Sequence, residues 1–244
     1  MPDARERLIV ALDVPNAPEA RRIVATIGDS AQIYKVGKQL FTAEGPQVVR
    51  DLVASGRDVF LDLKYHDIPN TVAGAVRQAS LLGVRMLTVH ASGGLRMLRA
   101  AVEAAAASRL GTRDSGLVVL AVTVLTSLND DDLREIGFPG RLVDQALRLA
   151  VLARTAGCDG VVTSAREVRE IRRELGPGFT IVTPGIRPAG TAQQDQERSA
   201  TPTEAITAGA SHIVVGRPIT ASPDPAAAAR RILDEITAAC SVPA

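Results

Sequence analysis

Asp58-Val59-Phe60-Leu61-Asp62-Leu63-Lys64-Tyr65-His66-Asp67-Ile68-Pro69-Asn70-Thr71 reads as a strongly apolar strand with charges gathered at its carboxyl end. Side chains alternate across a strand, so Asp62 and Lys64 share one face while Leu61 and Leu63 share the other. An inward-facing charge without a partner is costly, but opposite charges two residues apart compensate each other. Asp67 follows at the strand exit. Alone, such a tripeptide reads better as a solvated strand end; the rest of the chain repeats the arrangement and shifts the balance towards a site.

Working outward, short runs rich in Val, Ile and Leu alternate with stretches of helical periodicity. Strands are expected at Leu8 to Asp13, Ile33 to Gly37, Val59 to Lys64, Met86 to His90, Leu117 to Thr123, Gly160 to Thr163, Thr180 to Thr183 and His212 to Val215. Helices are expected at Ala17 to Ile27, Thr42 to Ser55, Ile68 to Leu82, Leu95 to Ser108, Arg141 to Ala156, Arg166 to Leu175, Thr203 to Ala208 and Asp224 to Ala239. Continuous apolar strands interleaved with helices imply parallel pairing and right-handed crossovers. The count and the 244-residue length predict an α/β chain forming a single (β/α)8 TIM barrel over residues 1–244, rather than an open doubly wound sheet.

Composition narrows the function. A formal charge of +1 from 28 basic and 27 acidic residues gives no electrostatic case for nucleic acid or an anionic membrane as partner. Aromatic residues make up 2% and Trp is absent, which argues against base-stacking platforms. Cys158 and Cys240 stand far apart with no Cys-x-x-Cys pattern, so neither a disulfide framework nor a zinc site is expected. The start, Met1 to Arg7, has no apolar signal segment, and the expected compartment is the cytoplasm.

In barrels of this kind chemistry gathers where the strands end in loops. Those ends carry Asp13, Lys35, Asp62 with Lys64, His90-Ala91-Ser92, Thr123 to Ser127, Thr183-Pro184-Gly185-Ile186-Arg187 and Gly216-Arg217. The last two combine a glycine, which exposes backbone amides, with a guanidinium suited to bidentate oxyanion contact. Two such loops on adjacent strands predict a phosphate site, and a nearly neutral protein with a focused anion hole suggests a small phosphorylated metabolite. No G-x-G-x-x-G or P-loop pattern is present, so no nucleotide cofactor is expected. His66 reads as a capping or packing residue, and His212 and Cys158 as structural. His90 is compatible with either a structural hydrogen bond or a minor site role.

Asp62-x-Lys64-x-x-Asp67, together with Ala11-Leu12-Asp13, Lys35-Val36-Gly37, Leu125-Thr126-Ser127, Thr183 to Arg187 and Val215-Gly216-Arg217-Pro218-Ile219, closely resembles the bacterial branch of the orotidine 5'-phosphate decarboxylase family. The resemblance runs from about Arg7 to the last helix, with the motifs in the family's order. It implies decarboxylation of orotidine 5'-monophosphate to UMP and carbon dioxide, the last step of de novo pyrimidine synthesis, with no metal and no organic cofactor. It further implies Lys64 as proton donor to C6, Asp62 beside the substrate carboxylate, and Lys35 and Asp67 completing an alternating charge array. Asp67 and Thr71 would reach a neighbouring subunit's site, making the working unit a homodimer. Asp13 and Lys35 would hold the ribose, Ser127 the pyrimidine edge, and Leu125 and Pro184 would form apolar walls. Gln196 would bridge base and phosphate, with Arg187, Arg217 and the Gly216 amide on the phosphate. Leu125 to Pro139 and Arg187 to Ser199 would be the lids. Two rival readings are a magnesium-dependent phosphosugar lyase of the same superfamily, whose metal ligand is a carboxylate where Lys35 stands, and a non-catalytic phosphate-binding barrel.

Overall fold

A computed structural model describes residues 3–107, 116–188 and 199–241. Eight strands, β1 (Leu8–Ala11), β2 (Ile33–Gly37), β3 (Asp58–Tyr65), β4 (Met86–His90), β5 (Val118–Val122), β6 (Gly160–Val162), β7 (Thr180–Thr183) and β8 (His212–Val215), close into one barrel in chain order. Every neighbouring pair is parallel, including β1 with β8. The (β/α)8 barrel expected from the alternating runs is therefore the observed fold.

The two-residue period of the strands divides the core in two. Ile9, Ile33, Phe60, Met86, Leu120, Val162, Val182 and Val214 fill the barrel interior. Their sequence neighbours, such as Leu8, Tyr34, Leu61, Leu87, Val161 and Ile213, pack outward against the helices. Lys35, Asp62 and Thr88 follow Ile33, Phe60 and Met86 by two residues, so the interior stack ends in polar groups at the carboxyl rim. Between β6 and β7 only glycine fits, because a Cβ at Gly160 would lie 2.2 Å from the Thr180 carbonyl oxygen.

The helices form where capping and periodicity agree. In Ala17–Ile27 the Asn16 Oδ1 accepts the Glu19 N–H at 3.0 Å, and the buried face is Ala17, Ala20, Ile23, Val24 and Ile27. The single helix expected over Thr42 to Ser55 is instead two, Lys38–Glu44 and Gln47–Ala54. Gly45, at φ 64°, and Pro46 divide them, since proline has no N–H and disfavours helical geometry in the residue before it. The first strand stops at Ala11, leaving Asp13 in the following loop, and the third is longer than expected at both ends. Short helices at Ala4–Arg7, Asp130–Glu135 and Arg217–Thr220 are additional. Among the described residues no helix is long and apolar enough to cross a membrane.

Candidate active site

The carboxyl rim encloses a cavity of about 570 Å³, within the usual range for small-molecule sites. Asp13, Lys35, Asp62, Lys64, Leu125, Ser127, Pro184, Arg187, Gly216 and Arg217 all line it. Gly185 and Ile186 complete the lining after β7, and Val122 and Val162 supply apolar wall from β5 and β6.

The ionic wall is a continuous row. Asp13 Oδ1 accepts from Lys35 Nζ at 2.7 Å, Lys35 Nζ stands 3.7 Å from Asp62 Oδ2, and Lys64 Nζ donates to both Asp62 oxygens at 2.8 Å. Alternation of sign lets these groups stand together with little water: the side chains of Lys35, Asp62 and Lys64 are 11%, 13% and 22% exposed. Burial, the largest single influence on Asp62, pushes its carboxyl up. The charges of Lys64 and Lys35, with hydrogen bonds from Lys64 and Thr88, outweigh it and hold the carboxyl below its ordinary range. Asp62 is consequently a carboxylate at neutral pH, in a place where negative charge is costly.

Two backbone features make this row possible. Lys64 has φ 55°, the left-handed region, and is the one non-glycine residue so placed among those described. Such a conformation costs about 1–2 kcal/mol and persists only when its surroundings impose it. Here the pairing of β3 with β4 shifts between Leu61 and Tyr65, and the Lys64 N–H is received by the Thr88 hydroxyl at 2.9 Å. The second feature is Gly37, where a Cβ would lie 2.9 Å from both Asp13 Oδ1 and Lys35 Nζ. Any side chain there would press on the Asp13–Lys35 pair.

Asp67 and Thr71 lie outside the cavity lining. Both are exposed, and Asp67 Oδ1 accepts the Ile68 N–H at 2.6 Å. Ile68 beside them is 67% exposed, a large apolar side chain open to solvent. Gln196 falls in 189–198, outside the described residues. Among the described residues on either side, Ile186 and Ala200 form an isolated bridge, and the Arg187 N–H donates to the Ala200 carbonyl at 2.9 Å. The loop after β5 contains the helix Asp130–Glu135, started by an Asn129 and Asp132 capping box.

The remaining candidates divide as follows. His90 ends β4 with its ring 5.5 Å from that of His66. Burial first, then His66 and the ammonium groups of Lys64 and Lys38, push its titration down to about 4, so it is neutral at physiological pH. His212 lies at the opposite end of its strand from the rim; burial and the nearby Arg85 and Arg7 hold it down to about 4. Cys158 is buried, which pushes its thiol up to about 12 and makes it inert. Sequence reasoning assigned no role to Thr88 or Gly37. The signal for Thr88 is a hydroxyl on the inward period of an otherwise apolar strand; Gly37 stands in the Lys35-Val36-Gly37 motif, but its steric role depends on the fold.

Known proteins resemble this chain over nearly its whole length. The profile of the orotidine 5'-phosphate decarboxylase / HUMPS family matches residues 6–232. An orotidine 5'-phosphate decarboxylase of Moorella thermoacetica is 52% identical over 234 residues, covering 96% of this chain and 93% of that protein. One of Halorhodospira halophila is 55% identical over 233 residues, covering 96% and 97% respectively. Among solved structures, the orotidine 5'-phosphate decarboxylase of Lactobacillus acidophilus superposes with a TM-score of 0.84 at 41% identity, over 94% of this chain and 98% of that one. With a closed eight-strand barrel, the charge row on its rim and these likenesses, the chain belongs to the orotidine 5'-phosphate decarboxylase / HUMPS family.

Proposed function

We propose that this protein decarboxylates orotidine 5'-monophosphate to UMP and carbon dioxide, using side-chain charge rather than a metal or coenzyme, with the single barrel as its catalytic domain. The observation that carries the proposal is the row Asp13–Lys35–Asp62–Lys64 on one wall of a cavity that also receives Arg187 and Arg217.

Loss of carbon dioxide from C6 of the pyrimidine leaves an electron pair on a ring carbon with no carbonyl placed to delocalise it. A site helps by setting negative charge beside the departing carboxylate and positive charge where the carbanion forms. Asp62, ionised despite burial, supplies the first. Lys64 supplies the second and delivers the proton to C6. Lys35 and Asp13 hold the ribose hydroxyls, and Lys35 also neutralises Asp62 from its other side, 3.7 Å away. Arg187, Arg217 and the Gly216 amide take the phosphate, Ser127 meets the pyrimidine edge, and Leu125 and Pro184 exclude water beside it. Binding energy from the remote phosphate is then available to close the loop after β5 over the reacting carbon.

The working unit is a homodimer in which Asp67 and Thr71 enter the neighbouring subunit's site. Their exposure outside their own cavity, next to the outward-facing Ile68, supports this reading. Lys35 also weighs against the magnesium-dependent lyase, because an ammonium 2.7 Å from Asp13 and 3.7 Å from Asp62 stands where a cation would need a carboxylate. The test is the loss of orotate absorbance with orotidine 5'-monophosphate in the presence of EDTA. Turnover at an undiminished rate supports the proposal; binding of UMP without turnover would identify a non-catalytic barrel, and magnesium-dependent consumption of a phosphosugar with none of orotidine 5'-monophosphate the lyase.

A further inference from the structure

Thr88 is wholly buried on β4, one inward step beyond Met86, at a level where the interior stack passes from hydrocarbon to charge. Its hydroxyl has two partners on β3. The oxygen accepts the Lys64 backbone N–H at 2.9 Å, and the proton is donated to Asp62 Oδ1 at 3.0 Å. These are the two residues of the Asp62–Lys64 ion pair, and the backbone amide concerned is the left-handed one. Because the β3–β4 register shifts between Leu61 and Tyr65, the hydroxyl supplies an acceptor where the regular ladder is broken. A β-branched side chain on a strand has few χ1 choices, which keeps the hydroxyl aimed at both.

We propose that Thr88 is a positioning residue for the decarboxylation: a single hydroxyl ties the left-handed backbone of Lys64 to the carboxylate of Asp62, fixing ammonium against carboxylate before substrate arrives. The inference rests on the reading of Asp62 and Lys64 as the reacting pair. It explains why an energetically unfavourable backbone angle coincides with the position of the proton donor. Valine would preserve the shape of Thr88 and delete both hydrogen bonds; serine would preserve both and delete only a methyl group.

The test measures kcat and KM for orotidine 5'-monophosphate over a range of pH for Thr88→Val, Thr88→Ser and Lys64→Ala, with folding checked by circular dichroism. Thr88→Val is expected to lower kcat roughly ten- to a hundredfold, the usual worth of a hydrogen bond to a charged group, with KM changed far less. The acid limb of its profile should move to higher pH, because ionised Asp62 has lost a donor. Lys35 from β2, itself paired with Asp13 after β1, Lys64 on β3 and His90 at the end of β4 also act on this carboxylate, so the serine variant is the control. Thr88→Ser should recover most of kcat and the original acid limb. A valine variant with wild-type kcat, beside an inactive Lys64→Ala, overturns the role of Thr88 and leaves the active-site reading intact. An active Lys64→Ala overturns the active-site reading itself. A valine loss that serine does not rescue, with the acid limb unmoved, marks Thr88 as packing only. Should the valine chain not fold, Thr88→Ala is judged by the same criteria.

Discussion

Replacing Lys64 by glycine and, separately, by alanine divides the chemistry of this position from its backbone. Both variants lose the same ammonium, so each leaves Asp62 with Lys35 at 3.7 Å as its remaining cation in the row. They differ in how they bear φ 55°. A left-handed residue with a Cβ costs about 1–2 kcal/mol, and glycine escapes that cost. Glycine gives back about 0.4–1 kcal/mol through the greater freedom of its unfolded chain. The difference leaves Lys64→Gly more stable than Lys64→Ala by roughly 0.5–1 kcal/mol, the reverse of the order at an ordinary strand position. For a chain of this size, 1 kcal/mol moves the midpoint by about 2–4 °C, so the glycine variant should melt about 1–4 °C above the alanine variant. Differential scanning fluorimetry reads the shift, and the absorbance assay should find neither variant active. An alanine variant that melts at or above the glycine variant would refute the strain argument. Turnover near wild type in either would refute Lys64 as proton donor.

Three further outcomes are expected. Arg217→Ala should weaken binding of UMP far more than of uridine, measured by calorimetric titration; equal losses for the two would rule out its phosphate role. Inactive Asp67→Asn and Lys64→Ala chains, mixed and purified as hybrid dimers, should recover part of the wild-type turnover, since one of the two interfacial sites then carries neither change; hybrids without activity would exclude a shared site. His212, held down to about 4 by burial, remains uncharged in the folded chain while its unfolded counterpart takes up a proton below about 6.5. Folding stability should therefore fall as pH drops from about 6.5 towards 4, and the loss in urea midpoint between those limits should shrink in His212→Gln. An unchanged loss in that variant would show that His212 is not the group responsible.

The opening stretch held much of the answer because its information is local. A period of two on β3 sends Asp62 inward and Leu61 outward whatever the neighbouring strands do, and the observed core divides along that line. The same holds for Lys35 on β2 and for the glycine and arginine pairs after β7 and β8, whose place on the rim follows from strand direction alone. Local signals compete elsewhere in the chain. Helical periodicity across Thr42 to Ser55 masks the break that Gly45 and Pro46 impose, and the Asn129 capping box starts a helix inside a stretch without apolar periodicity after β5.

Thus the sequence by itself determined the strand and helix alternation, the closed barrel, and the identities of the charged groups along its rim, because period, turn chemistry and strand polarity are properties of neighbouring residues. Only the tertiary structure decided how those charges are held. The left-handed turn at Lys64, the Thr88 hydroxyl beneath it and the space that Gly37 leaves for Asp13 and Lys35 all arise from contacts between different strands. Such contacts depend on register and on distances of a few tenths of an ångström, which packing sets and no local pattern encodes.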